Sequence, residues 1–435
     1  MFESASRLKL RLMCDAHTGT EKMLNHSPPL PLIIEPTYFD YMDLQSKKNV
    51  LDGLEVSDRV FSLILDASSM CDELPVALNR TFPILETLSL SSFKDNVPMI
   101  LPDSFATPRL RALHLHDIPL GEVSSILTNS VTPNLISIRI DRVEDDSYVP
   151  PEHLVELISS MPRLENLSIG FGPTFLLSDP DREFWHTDMR RVVLPSIWRL
   201  TFTGDSAYLE KLLALISTPL LQCFHVTYSP KPSLAVKALS AFLKTIQDID
   251  FRTAVVSFSG TFAVTYYPER PSDSPSCLMF AMGSDDKIDR LNEQVATMVQ
   301  ICAAISPVLR FVEGLALEFD RAYVPDDSAV RREHWRTFLR SLGAVKRLRT
   351  DVALTPELAG ILNPEDGTAT EELLPMLSEL AVVSRVDLVR NSFDSLIHTR
   401  SLVGHDIDFR VIKFRPLPPP QLFILRSPDS FECSI

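Results

Sequence analysis

Phe82-Pro83-Ile84-Leu85-Glu86-Thr87-Leu88-Ser89-Leu90 decides the fold, because it recurs. Thr107-Pro108-Arg109-Leu110-Arg111-Ala112-Leu113-His114-Leu115 carries the same pattern, as does Thr132-Pro133-Asn134-Leu135-Ile136-Ser137-Ile138-Arg139-Ile140. Met161-Pro162-Arg163-Leu164-Glu165-Asn166-Leu167-Ser168-Ile169 is a fourth copy, and the stretches 194–202 and 218–226 extend the series. Each copy has a Pro, one free position, then apolar residues three and two apart.

The first apolar position falls at Leu85, Leu110, Leu135, Leu164, Ile197 and Leu221, in steps of 25, 25, 29, 33 and 24 residues. Self-similarity at such a period marks stacked units. The last residues of each copy alternate apolar and polar, as in Leu88-Ser89-Leu90, the signature of a strand with one buried face. The Pro precedes the strand, where its missing N–H removes no ladder bond. Between copies lie helical patterns such as Pro151-Glu152-His153-Leu154-Val155-Glu156-Leu157-Ile158. Strand, helix and parallel return strand make one turn of a leucine-rich-repeat coil, and one turn cannot bury its own apolar face without neighbours. The fold class expected is an α/β leucine-rich-repeat solenoid, with parallel strands on the concave face and helices on the convex face.

The chain has 435 residues, 45% hydrophobic and 23% charged, an ordinary globular composition with ample material for a core. A net charge of -15 disfavours nucleic acid or an anionic membrane surface as partner. There is no run of 18 apolar residues, and the N-terminus has no apolar leader core. Cys14, Cys71, Cys223, Cys277, Cys302 and Cys433 show no close pairing, which suits reduced thiols in the cytoplasm or nucleus.

Three regions are expected. Residues 1–57 form an irregular N-terminal repeat or cap, with a strand over 7–12, a short helix over 20–26, and prolines 28, 29, 31 and 36. Residues 58–415 form the solenoid, and 416–435 a Pro-rich tail. Within the solenoid, helices are expected over 206–217, 233–247, 287–306 and 330–342. Two strand-like runs, 255–259 and 261–267, flank Gly260 as a hairpin, and 268–275 reads as a surface loop. Strands resume at 312–317, 345–350 and 377–382.

The repeated Thr-Pro-x-Leu-x-x-Leu strands, Leu212-Leu213-Ala214-Leu215-Ile216-Ser217-Thr218-Pro219-Leu220-Leu221, and the segment Asn391-Ser392-Phe393-Asp394-Ser395-Leu396-Ile397-His398-Thr399-Arg400-Ser401-Leu402-Val403-Gly404 together resemble the fungal (basidiomycete) F-box/leucine-rich-repeat proteins. The resemblance implies the substrate-recognition part of a ubiquitin-ligase adaptor. Members of that family open with an F-box, a short helical module that docks on a Skp1-type adaptor. Here a strand is expected almost from the first residue, so no recognisable F-box fits. Skp1-type docking is expected only where such a module precedes Met1.

Patterns that carry chemistry are scarce. The P-loop, G-x-S-x-G and H-E-x-x-H signatures are absent, and with 13 glycines, phosphate-cradling loops are few; Gly170-Phe171-Gly172 reads as a turn. His114 and His116 share a strand face, as a metal edge would require, but the plainer reading is two exposed imidazoles. Cys223 has His225 two residues on; the plainer reading is a lone, inert thiol. The acidic pairs at 145–146, 285–286, 326–327 and 371–372 read as solvated loops and helix starts. No catalytic residue, cofactor or metal site is therefore expected. A hydrolase or transferase pocket near the 254–306 insertion is the alternative, and a degenerate family member without a selected role is a third.

The expected working surface follows from strand geometry. If the Leu and Ile positions point inward, the alternate residues line the open face, with Ser89, His114, Arg139, Ser168, Thr201 and His225 side by side. His116 and Arg199 flank that row. These eight residues are the candidate protein-binding surface, and Arg139 is the first to test because Arg is enriched at binding hot spots.

Overall fold

The computed structural model describes residues 9–12, 19–35, 43–66, 70, 73–91, 102, 105–117, 132–143, 149–172, 191–229, 237–246, 251–258, 262–267, 277–282, 291–319, 329–363, 373–384 and 392–413. The tail expected over 416–435, the four acidic pairs and the loop over 268–275 lie outside these residues.

The strands are β1 (Leu10–Leu12), β2 (Leu32–Ile34), β3 (Val60–Asp66), β4 (Thr87–Ser91), β5 (Ala112–His116), β6 (Ser137–Val143), β7 (Asn166–Phe171), β8 (Val192–Val193) and β9 (Arg199–Gly204). They continue with β10 (Ile216–Ser217), β11 (Cys223–Tyr228), β12 (Thr253–Phe258), β13 (Phe262–Tyr267), β14 (Cys277–Met282), β15 (Gly314–Phe319), β16 (Arg347–Asp351), β17 (Glu379–Ser384) and β18 (Asp408–Lys413). Among the described residues, 16 of them form one sheet in the order β1-β2-β3-β4-β5-β6-β7-β9-β11-β14-β13-β12-β15-β16-β17-β18, while β8 and β10 pair separately.

The turn that launches each strand explains the recurrent Pro. Leu85 N–H donates to the Phe82 carbonyl at 3.3 Å, Leu110 to Thr107 at 3.1 Å, Leu164 to Met161 at 3.1 Å, and Leu221 to Thr218 at 3.2 Å. Pro83, Pro108, Pro162 and Pro219 occupy the second position of these turns, where a φ fixed near about −65° is already correct. The fourth residue of each turn is buried and starts the next rung.

The rungs stack in register. Leu63, Leu88, Leu113, Ile138, Leu167, Leu200, Phe224 and Leu278 are successive partners across the sheet. All are buried, as is the parallel file from Leu65 and Leu90 to Phe280. The helices close this core from one side. Pro151–Ser159 starts with Pro and buries Leu154, Val155 and Ile158. Ser206–Leu215 is capped by Asp205, which accepts from the Ala207 N–H at 2.8 Å, and buries Tyr208, Leu209, Leu212 and Leu213. Near the far end, Arg400 on the helix Asp394–Leu402 donates to the carbonyls of Leu373 at 2.7 Å and Pro375 at 3.3 Å, tying that helix to the turn before β17.

Among the described residues the array is interrupted once. β12 pairs antiparallel with β13, and β13 with β14. β14 then lies parallel to β11, while β12 lies parallel to β15. Three strands laid down in reverse order thus separate two turns of the coil. Their inward residues, including Val256, Phe258, Val264, Tyr266 and Phe280, share the core with Val295, Met298 and Ile301 of the helix Leu291–Ala304.

Several expectations need correcting. Residues 44–55, read as irregular because of the nearby prolines, form a helix. Asp43 caps it by accepting from the Ser46 N–H at 2.7 Å, and Val50 and Leu54 anchor it. The helix expected over 206–217 ends at Leu215, and Ile216–Ser217 pairs with β8. The helix expected over 233–247 is described as Lys237–Leu243. Gly170 and Phe171 continue β7 rather than turning, and a Cβ on residue 170 would lie in ordinary contact, 3.4 Å, with an Asp141 carboxylate oxygen of β6. β14 is an addition to the strands expected from sequence.

Candidate functional site

The predicted row exists. Ser89, His114, Arg139, Ser168, Thr201 and His225 are successive in-register partners, and Met279 of β14 extends the row beyond His225. All are half-buried, on the sheet face opposite the buried rungs. His116 lies one row further on, between Ser91 and Asp141. Arg199 lies one row back, between Asn166 and Cys223.

The row is not a plain solvated surface. Arg139 Nε donates to Asp141 on its own strand. His116 Nε2 stands 3.2 Å from Asp117, and Arg142 Nη1 stands 3.8 Å from the same carboxylate. Asp117 and Arg142 both take the left-handed backbone conformation, with φ of 54° and 57°, which turns the chain out of β5 and re-aims β6. His114 is not an exposed imidazole as expected. Burial first, and the charge of Arg139 second, pull it down to about 4, with Asp141 acting the other way. These surroundings favour its neutral form.

At the far end of the row a second cluster forms where β14 meets β11. Cys223 is not a lone thiol. Cys277 is its direct partner across the parallel pair, and the two Sγ atoms are 3.2 Å apart. His225 Nε2 lies 2.8 Å from Cys277 Sγ and 3.4 Å from Cys223 Sγ. The contact with Cys277, and then His225 and Arg199, hold the Cys223 thiol down at about 5 against desolvation. The same contact pushes Cys277 up. One thiol of the pair is thus held below the usual thiol range and the other above it, as for two sulfurs in contact. Among the described residues, these three are a group of metal-ligating side chains close enough to share one ion.

Sequence reasoning missed Cys277 because it lies 54 residues from Cys223. The signal was the alternation in Cys277-Leu278-Met279-Phe280, which reads as a strand once the prolines before it are set aside. Between the hairpin and the helix after it, the described residues pack as core: Tyr266 is fully buried, with its hydroxyl 4.0 Å from Cys302 Sγ. A small pocket lies at the edge of the 254–306 insertion, between the start of β11, the helix Lys237–Leu243 and β14, lined in part by Cys277 and Leu278. No helix among the described residues is long and apolar enough to cross a membrane.

The strand order and register define the chain as a leucine-rich-repeat solenoid with one antiparallel insertion. No family model and no curated protein matches it. Among solved structures it is similar to the leucine-rich repeat-containing protein LegL7 from Legionella pneumophila, at 11% identity and a TM-score of 0.31. That alignment covers 93% of this chain and 90% of the other. So low a score adds nothing to the fold, which rests on the ladder itself.

Proposed function

We propose that this protein is a non-enzymatic interaction module that binds another protein along the open face of β4–β11. The in-register row from Ser89 to His225 carries the reading. Small side chains at Ser89, Ser168 and Thr201 leave room for a partner's chain. His114 and Arg139 offer directed polar contacts from a rigid backbone, which keeps the ordering cost of association low. The resemblance to F-box/leucine-rich-repeat proteins supports a substrate-recognition role in a ubiquitin ligase, with a Skp1-type adaptor as partner only where an F-box precedes Met1.

A photo-crosslinking residue at Ser168 tests the surface. It should give a discrete crosslinked partner that Arg139→Glu abolishes. The same residue at His153, exposed on the helix side, should give none. Equal crosslinking from both positions would refute the assignment. The ligase version is tested separately, by mixing purified Skp1-type adaptor with a chain that carries the sequence encoded upstream of Met1; no complex would end that version and leave the surface assignment standing.

A further inference from the structure

We infer that Cys223, His225 and Cys277 form a binding site for a single thiophilic d10 cation of the Zn2+ class. The site is built by topology. Cys223 and Cys277 face each other on two strands locked by a full ladder from Cys223↔Cys277 to Tyr228↔Met282. His225, two residues along β11, returns to the same face, so the three donors converge without any loop having to fold over. β11 is held equally from its other side by β9.

The spacing fits a metal. With Zn–S near about 2.3 Å and Zn–N near about 2.0 Å, tetrahedral donors stand about 3.8 Å apart for two sulfurs and about 3.5 Å for sulfur and nitrogen. The triangle here has sides of 3.2, 3.4 and 2.8 Å. The sulfur–sulfur side and the shorter sulfur–nitrogen side must each open by roughly 0.6–0.7 Å to reach the tetrahedral spacing, a movement that side-chain rotation supplies. Two thiolates and a neutral imidazole leave a divalent ion with no net charge, and both thiol protons are released on binding. A soft donor set of two sulfurs and one nitrogen selects zinc-like ions over magnesium or calcium. Three protein ligands would leave a fourth position for an exchangeable ligand.

A cross-strand disulfide is the competing use of the two sulfurs. It would engage neither nitrogen of His225, whereas Nε2 is within contact of both sulfurs. The cation explains all three residues. The inference shares His225 with the partner reading but is argued from the junction of β11 with β14, and a metal titration reads it with no partner present.

The test titrates the full, reduced, metal-free chain with Zn2+ against a chromophoric chelator, and in parallel with Co2+. The expected result is one equivalent bound, with thiolate-to-cobalt charge-transfer absorption and tetrahedral d–d bands. Cys277→Ser and His225→Ala should each weaken binding by more than about 100-fold, beyond the loss seen when an outer-shell partner is removed. A Cys14→Ser/Cys71→Ser/Cys433→Ser triple variant should bind like the parent. Circular dichroism of each variant must match the parent, and His225→Ala keeps both thiols as a check on simple dithiol binding. Failure to bind one equivalent would overturn the site. So would retained affinity in His225→Ala, or conversion to a Cys223–Cys277 disulfide with no ion taken up by the reduced form.

Discussion

Leu113→Ala is the most direct test of the stacked core. Leu113 is fully buried and lies in register between Leu88 and Ile138. The substitution removes three carbons, worth about 2.4 kcal/mol at about 0.8 kcal/mol each. Neighbours fixed by ladders on both sides cannot collapse far into the gap, so a cavity cost adds to this and brings the loss to about 3–4 kcal/mol. The matched control is Ser89→Ala, one residue beyond Leu88 and on the opposite face, which should cost about 0.5 kcal/mol or less. Urea unfolding followed by circular dichroism and by tryptophan fluorescence, to which Trp198 contributes, reads both. The Trp198 backbone N–H bonds the Glu165 carbonyl at 3.0 Å, so this residue reports on the same stack several strands away. Equal costs on the two faces, or a loss below about 1 kcal/mol for Leu113→Ala, would refute the assignment of inside and outside.

Other perturbations probe other parts of the molecule. His114 titrates at about 4 when folded against about 6.5 unfolded. The unfolded chain therefore binds more protons between these values, so stability is full above about pH 6.5 and falls as the pH drops towards 4. Denaturation at pH 7.5 and 4.5 should show His114→Asn losing about 2.5 kcal/mol less than the parent over that interval. Arg331 on the helix Ala329–Arg340 is buried and paired with Glu357 on the helix Thr355–Leu362. Glu357→Ala should cost about 3–5 kcal/mol by taking the carboxylate away from that buried charge, while replacing both partners with apolar residues should recover most of it; urea unfolding reads both variants. Gly204 has φ of 152°, and a Cβ there would meet the Phe171 ring at 2.8 Å. Gly204→Ala should lower the melting temperature and loosen the end of β9, seen as faster amide exchange at Ser229, whose N–H bonds the Gly204 carbonyl at 2.9 Å.

The repeat was legible because each turn restates one local rule. A Pro sets the turn, a Leu closes it, and alternation then points Leu88, Leu113, Ile138 and Leu167 the same way. Register followed from matching these positions, so the row through His114 and Arg139 could be written before any coordinate. What was not legible depends on distance along the chain. The sequence shows Cys223 beside His225, but only pairing of β14 with β11 supplies Cys277. The helix over 44–55 was hidden for another reason: besides the prolines before it, its first-turn Leu44 is exposed and its buried apolar anchors, Val50 and Leu54, come late. His114 looks exposed in sequence because alternation says which face a side chain takes, not how deeply Arg139 and Asp141 pack around it.

The reversed order of β12, β13 and β14 shapes how the chain can be assembled as it emerges from a ribosome. Each earlier strand finds its neighbour within one turn of the coil, whereas β11 stays bare along one flank until Cys277 to Met282 has been made, 54 residues after Cys223. An unpaired flank of that kind invites association with other chains. Slower elongation between residues 228 and 277 would prolong that exposure, and refolding of a chain ending before Cys277 should show more aggregation than the full chain.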